Sequence, residues 1–355
     1  MGPLFPHNRT WATTMAKRTR VTAKRTRIIT SDEGGSYFSA PKSNLQFIGS
    51  GCKLLDLVLG GGWAENRVAN IIGDKATGKT LLCIEACANF AAKYPKGKIR
   101  YREAEAAFDE PYAGALGMPV DRVDFGDPLE TVEDLFEDLE RIVSGAKQNE
   151  LVICDSLDAL SDRSELERKM DQGSYGAEKA KKLSQLFRRL VRKMESKQVT
   201  LIIVSQVRDK IGAMFGRKTT RSGGKALDFY ASQILYLAHL GQITKTISGQ
   251  KRAIGVEVRA KCDKNKVGLP FREADFDIRF GYGVDDAQAC IDWMAATGNF
   301  KDLDISKDES KRYLATLLKM SPEAALEETS RLRELVEHRW YELERKLLPT
   351  RKKYG

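Results

Sequence analysis

The chain has 355 residues and a formal net charge of +10, from 59 Lys+Arg against 49 Asp+Glu. That length accommodates about two domains of roughly 100–200 residues each, and 42% hydrophobic with 30% charged side chains marks a soluble globular chain. No apolar run approaches the roughly 18 residues of a membrane span, and six cysteines without a CxxC pair exclude a disulfide framework or zinc module, which points to a reducing, intracellular setting.

The excess charge is uneven. Residues 1–30 hold Arg9, Lys17, Arg18, Arg20, Lys24, Arg25 and Arg27 and no acid, so they carry +7 of the +10. The repeat AKRTRVT-AKRTRII lies here, followed by a Gly/Ser-containing stretch. Residues 1–45 have no sustained helical or strand period and are expected to form a basic, mostly disordered arm and assembly linker. Clustered Lys/Arg suits a polyanion. A solubilising tail and an organellar transit peptide are the alternatives, although Pro3 and Pro6 interrupt an amphipathic helix at its start. Met15 precedes the repeat as a second candidate start.

From about Phe47 short apolar strands alternate with helices. Strands are predicted at Val68–Ile72, Ile99–Glu103, Leu151–Cys154 and Val199–Ser205, with a helix after the first strand through about Ala92. Leu183, Leu186, Phe187, Leu190, Val191 and Met194 give another helix its apolar face. The fold class is therefore α/β, a mainly parallel sheet over 46–283 that binds ligands at the strands' carboxyl ends. After Gly283 the strands stop. Ser321-Pro322 opens a helix to about Leu348, so 284–355 reads as a small helical C-terminal domain.

Gly73-Asp74-Lys75-Ala76-Thr77-Gly78-Lys79-Thr80 fits G-x-x-x-x-G-K-[ST] between a strand and a helix. Backbone N–H groups there can surround phosphate oxygens at a helix N-terminus. Lys79 would meet the β- and γ-phosphates of ATP, and the Thr80 hydroxyl would ligate Mg²⁺. Asp155, ending Leu-Val-Ile-Cys, is the natural partner of that ion, directly or through water. A carboxylate must also position the attacking water. Glu105 and Glu103 both lie at the end of the second strand, and spacing alone does not separate them.

The runs Gln206–Gly216 and Gly223–Ser232, together with Glu103-Ala-Glu105-Ala-Ala-Phe-Asp109-Glu-Pro-Tyr112-Ala and Lys264-Asn-Lys266, resemble the RecA strand-exchange recombinases in the same order. The resemblance spans about Gly49 to Gly283 and continues more weakly through Tyr313 to Val336. It implies a RecA-type P-loop NTPase core in which Glu105 is the catalytic glutamate. Asp109 and Tyr112 would meet adenine, and Gln206 would sense the γ-phosphate. Lys264 and Lys266 would reach the ATP of a neighbouring protomer, with Phe229 at the same subunit interface.

DNA contacts follow from the same likeness. Val207 to Gly224 combines Arg208, Lys210, Arg217, Lys218 and Arg221 with Ile211, Met214 and Phe215, and with glycines at 212, 216, 223 and 224. Cations for phosphates, apolar wedges for bases and glycines for mobility suit a loop that orders on DNA. Gly212, Gly223 and Gly224 belong to this second DNA-binding loop of the family. The first corresponds to about Glu165–Gly176, where Tyr175 would insert between bases, and Ser184 and Arg188 match phosphate contacts.

The chain also departs from the family. Asp74-Lys75-Ala76-Thr77 differs from the usual bacterial P-loop interior, and the end is basic where bacterial members are acidic. The assembly helix of bacterial members is not evident, and Gly35-Ser-Tyr37-Phe-Ser-Ala40 is only faintly similar to the aromatic-x-x-Ala motif of archaeal and eukaryotic relatives. A phage or mobile-element origin would suit these differences. Cys83 and Cys87, four apart on a helix, read as buried core, and His7, His239 and His338 form no ligand set.

The expected function is ATP-dependent homologous pairing and strand exchange by a helical filament on single-stranded DNA, with homologous duplex as second partner and DNA-stimulated ATP hydrolysis. A cytoplasmic setting, at the nucleoid or in a phage-infected cell, would follow. A hexameric RecA-fold helicase and a DNA-binding mediator with vestigial ATPase are the alternatives.

Overall fold

The computed structural model of the protein describes residues 45–163, 176–209, 219–221, 224–299, 302 and 310–349. Short β1 (Phe47–Ile48), α1 (Lys53–Leu59) and β2 (Trp63–Ala64) precede the central β3 (Val68–Gly73). Then follow α2 (Lys79–Lys93), β4 (Lys98–Glu103), α3 (Glu110–Ala115), β5 (Val123–Asp124), α4 (Val132–Gly145) and β6 (Glu150–Asp155). Next come α5 (Gly176–Lys197), β7 (Val199–Asp209), β8 (Thr219–Arg221), α6 (Gly224–Tyr230), β9 (Gln233–Ile247), β10 (Gln250–Asn265), β11 (Arg272–Arg279) and β12 (Gly283–Val284). Helices α7 (Asp286–Ala296), α8 (Ser310–Leu317) and α9 (Pro322–Leu347) end the described chain.

The main sheet runs β12-β11-β10-β9-β3-β7-β6-β4-β5, with β8 paired to β7. From β9 through β5 neighbouring strands are parallel. The expected α/β sheet is present, and it continues on one side as an antiparallel extension, β9-β10-β11-β12.

Every residue of β3 and of β6 is buried, because helices cover both faces of a parallel sheet. Alternation along the strands divides the core in two. Ala69, Ile71, Leu151, Ile153, Ile202 and Val204 face the layer built from α1 and α2. Val68, Ile72, Val152, Cys154, Leu201 and Ile203 face the layer of α4, α5 and α6. A period of two on strands feeds two apolar layers from one sheet. Buried Asn70 is satisfied, donating to the Ile203 carbonyl and to Ser205 Oγ, each at 2.9 Å.

Leu332, Val336 and Trp340 of α9, one helical turn apart, join the first layer beside Cys290, Ile291 and Met294 of α7. Polar ties fix the same contact. Asp286 accepts from Lys53 N at 2.5 Å and from Arg333 at 2.5 Å, and Lys53 pairs with Glu337 at 2.7 Å. Ser321 caps α9 through Ala324 N, with Pro322 in the first turn, as its sequence suggests. Cys83 and Cys87 are fully buried, and burial pushes both thiols well above their ordinary range. Among the described residues no helix is long and apolar enough to cross a membrane.

Asp56 in α1 accepts from Ser50 N at 2.8 Å, yet burial lifts its carboxyl to about 6. A raised acid pKa means the native chain holds its proton longer than the unfolded chain does. Stability therefore falls as pH rises from about 4 to about 6. Asp56→Asn should keep the acceptor and remove that decline, gaining on the order of 3 kcal/mol at neutral pH relative to acid. Thermal melts of both proteins across this range check it, and parallel wild-type and variant curves would contradict it.

Candidate nucleotide and nucleic-acid site

Gly73 ends β3, pairing with Gln206 of β7 on one side and Leu237 of β9 on the other. The loop from Gly73 to Gly78 folds on itself. Asp74 O accepts from Thr77 Oγ1 at 2.9 Å and from Lys79 Nζ at 2.6 Å, while Asp74 Oδ1 accepts from Lys75 N at 2.7 Å. The atypical interior is thus self-consistent, with Asp74 and Thr77 holding the turn. Two backbone positions set its shape: Ala76 has φ +55° and Gly78 φ +84°. The positive φ demands glycine, and a Cβ on Gly78 would sit 2.2 Å from Ile278 Cδ1, so that side chain's end would have to move. Helix α2 then starts at Lys79 with its free N–H groups at the loop, an anion-binding arrangement.

The metal partners named from sequence lie together. Thr80 Oγ1 donates to Asp155 Oδ2 at 2.7 Å, and Tyr101 OH donates to the same oxygen at 2.8 Å. Burial raises the Asp155 carboxyl above its ordinary range, although both hydrogen bonds oppose the rise. Burial lowers Lys79, opposed by the charges of Asp155 and Glu105. Two hard oxygen donors beside a phosphate cradle fit Mg²⁺, which takes one or two protein ligands and completes its shell from phosphate and water.

The two glutamates separate by geometry. Glu103 accepts from the backbone N–H of Glu105, Ala106 and Ala107 at 2.8, 2.8 and 3.2 Å, so it organises the loop. Glu105 is exposed, and its Oε1 accepts from Ser156 Oγ and from Gln206 Nε2, the latter at 2.9 Å. Gln206 N in turn donates to Asp158 Oδ2 at 2.6 Å. Beside this, Asp109 caps α3 by accepting from Tyr112 N at 2.9 Å, which leaves the Tyr112 ring 36% exposed.

Lys264 and Lys266 lie elsewhere. Lys264 Nζ donates to the carbonyls of Asp228 and Phe229, the latter at 2.9 Å, and Lys266 Nζ reaches the Phe229 carbonyl at 3.3 Å. Both cations crown the C-terminal end of α6, where the helix dipole favours them, beside a Phe229 side chain that is 71% exposed. Asn265 between them pairs with Gln233 at the amino edge of the sheet, whereas Gly73 pairs with Leu237. Lys264 pairs with Ile234, so the lysine backbones are at least about 10 Å along the strands from their own P-loop.

Ser184 is half-buried and Arg188 exposed on α5. The backbone at Arg208 and Arg221 forms an antiparallel pair of strands, with Val207 opposite Arg221, and Gly224 opens α6. Tyr175, Lys210, Ile211, Gly212, Met214, Phe215, Arg217, Lys218 and Gly223 lie outside the described residues, as do residues 1–44 with the arm and Gly35–Ala40. Sequence reasoning missed Tyr101, Ser156, Asp158 and Ile278. Ser156 and Asp158 stand just past the end of β6 beside Asp155, which is the one signal that could have flagged them, whereas Tyr101 lies inside β4. Ile278 gives no local signal.

Residues 36–285 match the family described as the RecA N-terminal domain. Protein RecA of Laribacter hongkongensis is 38% identical over 260 residues, covering 73% of this chain and 71% of that protein. Protein RecA of Synechococcus sp. is 36% identical over 259 residues (73% and 66%), and that of Streptomyces avermitilis 35% over 260 residues (73% and 66%).

Gly78→Ala should lower affinity for a fluorescent ATP analogue at least tenfold, because alanine is strained at φ +84° and its added carbon displaces the end of Ile278. The melting temperature should move by only a few degrees, since the strain is confined to the loop. Wild-type affinity in this variant would show that the loop's geometry is not set at Gly78.

Proposed function

Because this chain belongs to the RecA family, we propose that it is an ATP-dependent homologous recombination protein that pairs and exchanges DNA strands. The observation that carries this is the Lys79–Thr80–Asp155–Glu105–Gln206 constellation: Thr80 donates to Asp155, Gln206 donates to Glu105, and the charges of both acids act on Lys79 between the P-loop and the start of the basic loop at Val207. The protein is a DNA-dependent ATPase.

The roles of its residues follow from their places. Backbone N–H groups of Gly73–Thr80 cradle the phosphates, and Lys79 neutralises charge developing on them. Thr80 and Asp155 would hold Mg²⁺, which would offset the charge of the phosphates. Glu105 orients the attacking water and accepts its proton. Asp109 and Tyr112 border the adenine. Gln206 exchanges its bond to Glu105 for one to a γ-phosphate oxygen and so transmits nucleotide state into the residues after Val207. There Arg208, Lys210, Ile211, Gly212, Met214, Phe215, Arg217, Lys218, Arg221, Gly223 and Gly224 contact single-stranded DNA, with Tyr175, Ser184 and Arg188.

Lys264 and Lys266 serve a neighbour's ATP across an interface that includes Phe229. Their position at the amino edge supports this, because their own nucleotide would sit at the carboxyl edge. A head-to-tail interface of this kind generates a helical filament. The basic arm gives the filament an added grip on DNA, and the protein acts in the cytoplasm. A ring helicase and a mediator with vestigial ATPase are not favoured; the intact hydrolytic set argues against the mediator in particular.

Wild type should show ATPase stimulated by single-stranded DNA and exchange with a homologous duplex, both absent in Lys79→Ala. Glu105→Gln should lower kcat by about 10²–10⁴ while retaining ATP binding. Unwinding without exchange would overturn the assignment. Lys264→Ala/Lys266→Ala should be inactive alone but regain hydrolysis when mixed with Lys79→Ala, up to roughly a quarter of wild type for random neighbours in a head-to-tail stack. No recovery on mixing would place the lysines' role within one chain. Deleting residues 1–30 should weaken DNA binding and flatten its salt dependence while leaving ATP hydrolysis intact.

A further inference from the structure

Strands β9 and β10 are the longest in the sheet, at 15 and 16 residues. Strand β3 supports β9 only as far as Leu237, and β11 supports β10 only from Gly255. Between them the pair continues alone as a two-stranded ribbon, from Ile243 opposite Gly255 to Ile247 opposite Gln250. It closes through Ser248 at φ +51° and Gly249 at φ +75°, a two-residue turn whose positive φ angles match strand twist and hold the tip rigid.

The ribbon's charge is one-sided. From His239 through Val256 there is no acid, and the tip carries Lys245, Lys251 and Arg252, all exposed. Arg252 lies directly opposite Lys245, a like-charge cross-strand pair that costs stability. None of the three has an ion-pair partner among the described residues. Lys245 and Arg252 share one face, and Lys251, opposite Thr246, occupies the other. Ile247 is 61% exposed at the end. A thin rigid ribbon with cations on both faces fits a partner that surrounds it with negative charge, and a duplex groove flanked by two phosphate rows does so.

Position supports the same partner. Strand β9 runs parallel to β3, so the ribbon leaves the carboxyl edge of the sheet. Strand β7, two strands over, leaves the same edge toward the basic segment after Val207, about 10 Å away across the sheet. We propose that the tip of the β9–β10 ribbon is a duplex-DNA-binding element, inserting into a groove and gripping flanking phosphates through Lys245, Lys251 and Arg252. The proposal rests on the recombinase assignment above, in that it supplies a contact for the incoming duplex separate from the loop that holds the single strand.

The test uses the full-length protein with Lys245→Gln/Lys251→Gln/Arg252→Gln. A charge-matched control, Lys96→Gln/Lys98→Gln/Lys147→Gln, alters three exposed cations at the opposite, amino edge of the sheet. Binding of a labelled non-homologous duplex is titrated across salt. The log–log salt slope of the ribbon variant should fall by about 2–3. Between about 50 and 200 mM salt, wild type should lose roughly 40-fold more duplex affinity than the variant. ATPase driven by single-stranded DNA should be unchanged, and the control should behave as wild type. Equal duplex affinity and slope in wild type and ribbon variant would overturn the proposal. So would an equal loss in the control, which would mean net charge alone, or a parallel loss of single-strand-driven ATPase. Wild type lacking strand exchange would instead overturn the recombinase assignment, so the two failures are distinguishable.

Discussion

The backbone ladder pairs Gly73 with Gln206 and Glu103 with Asp155, and both pairs lie at the last rungs of parallel strands. Because parallel strands in register end together, four chemically different residues emerge along one edge without any side chain having to reach for another. The placing of the glycine loop, the two acids and the glutamine along one edge is a property of that register. A slip of one residue in β6 or β7 would turn Asp155 or Gln206 to the other face of the sheet. The apolar alternation that prevents the slip is the same one that fills the two core layers. Packing and chemistry here rest on a single constraint.

The nucleotide loop depends on that sheet a second time. Ile278 belongs to β11, in the antiparallel extension, yet its side chain lies where a Cβ on Gly78 would be. The extension therefore supports the phosphate loop from behind as well as lengthening the sheet. On the other side, Asp155 spends one oxygen on both Thr80 and Tyr101. Tyr101 is fully buried, so the orientation of the carboxylate is fixed by the core and not by solvent.

Much of this was legible in the sequence. Gly73–Thr80 between an apolar strand and a helix is a local pattern, and Asp155 after Leu-Val-Ile-Cys needs only the rule that strands in such sheets deliver residues at their carboxyl ends. The choice between Glu103 and Glu105 was not legible from spacing, since it turns on which carboxylate the loop's own N–H groups capture. The resemblance to a family favoured Glu105, and the geometry adds only that Glu103 is the carboxylate held by the loop. The antiparallel ribbon was illegible for a different reason. Beyond Leu237 both faces of β9 meet water, so Gln242, Thr244, Lys245 and Thr246 show no alternation to read. Ile278 was out of reach because no local rule ties a residue on β11 to a glycine two hundred positions earlier.

Lys264 and Lys266 sit at the edge of the sheet opposite Gly73. If each nucleotide is completed by the next chain's lysines, a row of these proteins has two unlike ends. At one, a P-loop faces solvent with no lysines to meet it; at the other, lysines face solvent with nothing to act on. Nucleotide held at the first end would outlast nucleotide anywhere in the interior, so age along the row would be uneven from the moment of assembly. Growth and loss would then favour different ends, and direction would be written into the polymer by a placement that costs the single chain nothing more than two cations resting on a helix end.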